Sequence, residues 1–231
     1  MTEPSTCLPR PTRVWDLPTR LFHWSLVGLV AFSAITGQFA ERLGSRFMDW
    51  HMLSGYAILA LLLFRLAWGF VGSTHARFAN FVRGPGTVLK YLGALAAGKP
   101  DAQQPGHNPL GGWSVLAMLG ALAVQVGSGL FQSDEDLGVE GPLAKHVANR
   151  TIDLLHRVHE TTFWLLLGLV ALHLGAIVFY RVVKGENLVR PMFTGDKPLC
   201  GIADARGGAW WLGALLLSAA AGAVWYLVNR I

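Results

Sequence analysis

Five long apolar runs constrain this chain more than any other feature: Leu21–Ala40, His51–Gly72, Trp113–Gln132, Leu154–Tyr180 and Trp210–Val228. Each is close to the about 20 residues a helix needs to cross a bilayer. In hydrocarbon every backbone amide must be satisfied within the structure, so runs of this kind fold as helices. The composition agrees, with 52% hydrophobic and only 14% charged residues, where a soluble domain carries about a quarter. An all-α, up-and-down transmembrane protein is expected, with no internal repeat and no separable soluble domain.

The net charge of +5 raises the question of nucleic acid. The distribution answers it. With a cytoplasmic N-terminus, twelve Lys and Arg side chains fall in the inner segments, among them Arg10, Arg13, Arg77, Arg83, Lys90, Lys99, Arg181 and Lys184, and six in the outer ones. That asymmetry is the positive-inside signal of a membrane protein, not a nucleic-acid face. Met1–Arg20 lacks the pattern of a cleavable signal peptide. Cys7 and Cys200 both fall on the inner side, where thiols are expected to stay reduced. Neither belongs to a C-x-x-C-H motif, which excludes covalent haem.

Residues 1–20 read as an extended cytoplasmic lead-in and Arg42–Asp49 as a short outer connection. Ser73–Gly112 is the longest connection, and its ARFANFVRGPGTVLKYLGALAAG stretch suits a surface-lying amphipathic piece. The outer loop Ser133–Asp153 is acidic, with Asp134, Glu135, Asp136, Glu140 and Asp153. A core unit over 21–197 is followed by a linker and fifth span over 198–231.

Histidine placement carries the functional signal. His159 and His173 lie fourteen residues apart in the fourth span. At about 100° and 1.5 Å per residue, they sit about 40° apart in azimuth and about 21 Å apart in height. Imidazoles inside a membrane helix are costly unless something uses them. Up-and-down threading sets His23 of the first span level with His173, and His51 of the second level with His159. Two level-matched pairs from different helices suit axial ligation of two haem irons in a bundle. His156 is about 260° away from His173 and faces elsewhere. Histidines merely hydrogen-bonded between helices are the plainer alternative. Zinc would need three or four protein ligands per site.

Gly37, Gly55 and Gly168 suit a flat macrocycle, though small residues also serve ordinary helix packing. Arg65 lies fourteen residues after His51 and level with His23 and His173. A buried arginine needs an anion, and a haem propionate would serve; the alternative is snorkelling to the interface. Arg20 is a similar propionate candidate. His107 and Asn108 stand at the inner mouth of the third span, where imidazole and amide could hydrogen-bond a quinone. Asn108 also suits a plain helix cap before Pro109. His75 and His146 read as solvated loop side chains.

The stretches RLFHW (20–24), WHMLSGYAILALLLFRLAWG (50–69), GHNPLGGWSVLAML (106–119), HETTFWLLLGLVALH (159–173) and ENLVRPMFTG (186–195) resemble the bacterial cytochrome b561 family. That family includes the cytochrome b subunits of hydrogenases and formate dehydrogenases. The resemblance, covering about residues 13–197, implies a four-helix core with two non-covalent b haems and quinone-linked electron transfer. It matches His23, His51, His159 and His173 to the family's ligands, and places an asparagine in a motif similar to that around Asn108. The fifth helix departs from the four-helix minimum, leaving open whether it packs on the core or on a partner.

The expected function is a di-haem cytochrome b of the bacterial inner membrane, N-terminus cytoplasmic and C-terminus periplasmic. It would carry electrons between the quinone pool and a redox partner, either a dehydrogenase or hydrogenase or a periplasmic cytochrome c docked on the acidic loop. Bis-histidine ligation leaves the iron no open position, which favours one-electron transfer over oxygen chemistry. The competing reading is a superoxide:quinone oxidoreductase, which some family members are. Its outer pocket would use Arg157, Lys145 and Arg150, against the repulsion of the neighbouring acids.

Overall fold

The computed structural model describes residues 7–98, 104–134 and 138–231, so Lys99, Glu135 and Asp136 lie outside the described part. The lead-in is not simply extended. Arg10–Arg13 forms strand β1, and the chain turns into α1 (Leu17–Leu43) at Asp16. The Asp16 carboxylate accepts from Thr19 N at 2.6 Å and Pro18 occupies the first turn, so two of the usual helix-start signals coincide. At the far end Gly44 takes φ +94°, a left-handed turn that glycine enters at little cost. Helix α2 (Ser45–Val71) follows at once. The expected Arg42–Asp49 connection is therefore a single residue. Arg46–Asp49 carries charge at both ends but no helix breaker, so α2 starts six residues before His51.

The long connection contains two helices, α3 (Phe78–Phe81) and α4 (Pro85–Ala96). None of the α4 residues is buried, as a helix lying on the surface of the bundle requires. Helix α5 (Pro109–Gly129) then crosses, followed by a small hairpin of β2 (Ser133–Asp134) and β3 (Val139–Glu140). The long α6 (Asn149–Val182) returns to the end holding the N-terminus, where α7 (Val189–Thr194) and β4 (Asp196–Leu199) follow. Helix α8 (Trp210–Arg230) crosses last. All five long helices are apolar enough to span a membrane.

Helix α2 is the hub, packed by α1, α5 and α8, while α6 leans on α5. The core runs along α2 through Ile58, Leu61, Phe64 and Trp68 and takes in Phe22, Leu122 and Leu166 from its neighbours. The fifth helix joins this core. A Cβ at Gly213 would lie 2.8 Å from Pro18 of α1, and Ala220 and Val224 are buried in the same seam. Small residues there allow the close approach that membrane helices use instead of a hydrophobic drive.

At the N-terminal end β1 pairs antiparallel with β4, Arg10 opposite Leu199 and Arg13 opposite Asp196. Arg13 adds an ion pair to Asp196 at 2.6 Å, and the Val14 and Trp15 amides both donate to Gly195 O. The same ribbon corrects the expectation of free thiols: Cys7 and Cys200 are joined as a disulfide, their Cα atoms 5.8 Å apart. Strand pairing across nearly the whole chain brings them together, which no local pattern could reveal.

Candidate functional site

Remote from the N-terminus, His51 of α2 and His159 of α6 face each other, ring centroids 6.1 Å apart and ring planes at 84°. Two metal–imidazole bonds of about 2 Å, with each ring centre about 1 Å behind its nitrogen, span about 6 Å. The separation therefore fits one iron between the rings.

The local chemistry fixes which nitrogens are available. His51 Nδ1 donates to Ser33 O of α1 at 2.8 Å, with Ser33 Oγ at 3.2 Å. His159 Nδ1 donates to Gln125 O of α5 at 2.9 Å, with Ser128 Oγ at 3.2 Å. A carbonyl oxygen only accepts, so both rings carry their proton on Nδ1 and keep the Nε2 lone pair. At His159 the Gln125 side-chain amide donates to that lone pair at 3.1 Å. A glycine one turn along makes each carbonyl reachable. A Cβ at Gly37 would lie 2.8 Å from His51 Nδ1, and one at Gly129 would lie 3.1 Å from His159 Cε1. His156 points away, accepting no role in this pair, and bonds Gln132 Oε1 at 2.9 Å.

At the other level His23 of α1 and His173 of α6 are close enough to sense each other's charge. His23 Nδ1 is buried without a hydrogen-bond partner, and Trp24 packs edge-on at 4.9 Å. Arg65 is 3% exposed and does not snorkel. Its Nη2 donates to Ala76 O at 3.1 Å, its guanidinium lies over Phe78 and Phe81, and its Nη1 is buried without a partner. Arg20 bonds Phe193 O through Nη1 and leaves Nε buried and unpartnered.

His107 is wedged between Trp15 at 4.8 Å and Phe81 at 4.7 Å, its Nδ1 shielded and unpartnered. Burial, then Arg65, His173, His75 and His23, push its pKa down to about 3. Burial also lowers that of His75, which is half-buried rather than solvated. Asn108 caps α5, its Oδ1 accepting from Gly111 N at 2.7 Å, and its Nδ2 donates to Tyr180 OH at 2.8 Å. Tyr180 is in turn hydrogen-bonded to Tyr91 of α4.

With this geometry in view, residues 14–195 match the family model of prokaryotic cytochrome b561. The chain belongs to that family. Similar curated proteins include the probable Ni/Fe-hydrogenase B-type cytochrome subunit of Azotobacter chroococcum, 25% identical over 80% of this chain and 90% of its own length. Others are the corresponding subunit of Rhizobium leguminosarum, 22% identical over 80% and 87%, and the probable Ni/Fe-hydrogenase 1 B-type cytochrome subunit of Escherichia coli K12, 22% identical over 80% and 89%. No solved structure gives a significant match.

This cytochrome b561 is thus a multi-pass membrane protein that binds haem b and transports electrons. The residues fit the group: paired imidazoles whose Nε2 atoms carry lone pairs, that of His159 now accepting from the Gln125 amide, and buried guanidinium nitrogens of Arg65 and Arg20 lacking acceptors. Sequence reasoning overlooked Ser33, Gln125 and Ser128, which hydrogen-bond the Nδ1 atoms of His51 and His159. Their signal was available as S-x-x-x-G over 33–37 and Q-x-x-x-G over 125–129, an acceptor and a glycine one turn apart.

Proposed function

We propose that this cytochrome b holds two b haems, one between His51 and His159 and one between His23 and His173, and conducts electrons between a quinone and a partner dehydrogenase. The observation that carries the reading is the 6.1 Å apposition of the His51 and His159 rings, with both Nδ1 protons engaged elsewhere. A haem held there by His51 and His159 would supply reversible one-electron transfer. Arg65 Nη1 and Arg20 Nε are buried donors in want of an acceptor, and propionates at the His23 level would satisfy them.

The curated relatives are hydrogenase cytochrome subunits. This supports a hydrogenase as the partner of this chain. The surplus of basic residues around the N-terminal end favours the bacterial inner membrane with that end in the cytoplasm. A quinone would meet the cytochrome there, at His107 and Asn108. Of the two, His107 is held neutral by its lowered pKa of about 3, which suits a hydrogen-bonding rather than a proton-accepting role toward a quinone.

The experiment is direct. The purified protein is expected to contain about two non-covalent haems per chain with six-coordinate, low-spin spectra, reducible by a soluble quinol. A single haem, or a high-spin iron, overturns the reading.

A further inference from the structure

Where the β1 ribbon runs into α1 and the last linker runs into α8, the surface holds a groove of about 390 Å³. Arg13, Asp16, Leu17, Ser73 and the Gly207–Trp210 stretch line it. Helix α8 starts there with no side chain capping it. Its first backbone N–H groups have no acceptor within the helix, and such a terminus attracts phosphate oxygens. Ser73, 1% exposed, lines the same groove, and its Oγ is buried without a hydrogen-bond partner. A buried hydroxyl of that kind calls for a ligand. Arg13 is half-exposed and hydrogen-bonds Asp196 through Nε, which leaves its Nη groups for a further acceptor.

Asp16 brings the opposite demand. Its carboxylate accepts from the Thr19 amide and the Trp68 indole, both neutral donors, and among the described residues no ion pair reaches it. Donors for an anion and an unmatched carboxylate therefore share one groove. The glycines keep it open: Gly207 and Gly208 take φ +80° and +81°, and a Cβ at Gly208 would lie 2.8 Å from Asp16 Cβ and 3.1 Å from Ser73 Cβ. The groove also lies at headgroup height. A membrane span begins at Trp210, and the exposed Trp210 and Trp211 are interface residues by type. Leu17 and Leu21, exposed and one turn apart on α1, continue the rim toward the apolar part of the bundle.

We propose that this groove binds the headgroup of a phospholipid that carries a primary amine, namely phosphatidylethanolamine. The phosphate accepts from the α8 N-terminus, Ser73 Oγ and Arg13, and the ammonium donates to Asp16. A phosphatidylglycerol headgroup brings the same phosphate but no cation for Asp16. A choline headgroup has no N–H to donate.

Lipid retention, read by native mass spectrometry of the protein in mild detergent, tests the proposal together with melting of delipidated protein returned to defined vesicles. Wild type should keep about one phosphatidylethanolamine per chain and be stabilised by that lipid, but not by phosphatidylcholine or phosphatidylglycerol. Ala209→Asp supplies α8 with its own cap and sets a carboxylate where the phosphate would sit. It should fold at least as well as wild type, lose the lipid and lose the response to phosphatidylethanolamine. Ser73→Ala, the variant to use if Ala209→Asp does not fold, should bind the lipid about tenfold more weakly, as befits one lost hydrogen bond to a charged group. Equal stabilisation by all three lipids overturns the proposal, as does unchanged retention in Ala209→Asp or Ser73→Ala. Stabilisation of delipidated wild type by inorganic phosphate to the same extent also overturns it, because the site would then serve a free anion.

Discussion

The Trp68 indole, fully buried at the C-terminal end of α2, donates to the Asp16 carboxylate at 3.2 Å. Asp16 is also the cap of α1, and the glycine linker before α8 lies against it, where a Cβ at Gly208 would be 2.8 Å away. One carboxylate thus fastens the start of α1, the end of α2 and the approach to α8. Asp16→Ala removes a helix cap and leaves the Trp68 N–H with only Thr19 Oγ1 as acceptor. It should destabilise the fold by about 2 kcal/mol. Thermal unfolding in detergent checks this; an unchanged transition would show that the junction does not organise the bundle.

Asn108 separates cap from quinone chemistry. Asn108→Ala should cost about 1 kcal/mol through the lost α5 cap, spare haem content, and slow haem reduction by quinol. Tyr180→Phe keeps the α5 cap while removing the amide–hydroxyl contact together with the bond to Tyr91. Equal kinetics in wild type and Asn108→Ala would remove Asn108 from the quinone site and leave it a cap.

His107 predicts an acid limb in stability. Its folded pKa of about 3 lies below the ordinary value of 6.5, so the unfolded chain takes up the proton first. The stabilisation is complete above about pH 6.5 and is lost as pH falls toward 3. His75, also shifted down by burial, contributes in the same direction. His107→Gln should flatten this limb in melts recorded between pH 7 and pH 4. An undiminished slope would place the titrating group elsewhere.

The disulfide closes a loop of 193 residues in sequence separation. Cross-links of such span restrict the unfolded chain most. Cys7→Ser should lower thermal stability by about 2 kcal/mol or more, expose the β1 segment to protease, and leave the haem spectrum unchanged. A variant as stable and as protease-resistant as wild type would contradict the pairing.

How far these features could be read in advance follows from their range. Spans announce themselves because a bilayer imposes length and apolarity on every one, and helical depth then follows from counting. His23, His51, His159 and His173 stand out as candidates on that basis, and Asn108 could be read either as cap or as ligand because both roles use the same side-chain oxygen. The β1–β4 ribbon and the Cys7–Cys200 link join residues nearly the whole chain apart, with no periodicity to betray them. Ser33 and Gln125 were hidden for another reason: it is their backbone carbonyls that hold the histidines, and any residue has a carbonyl. Only the following glycines mark the place.

The central claim is that the four histidines work two by two, each pair holding one haem. Counting haem per chain in wild type, His51→Ala and His23→Ala tests it most directly. The account predicts about two in the first and about one in each variant, all low-spin. A His51→Ala or His23→Ala protein that keeps both haems would contradict it.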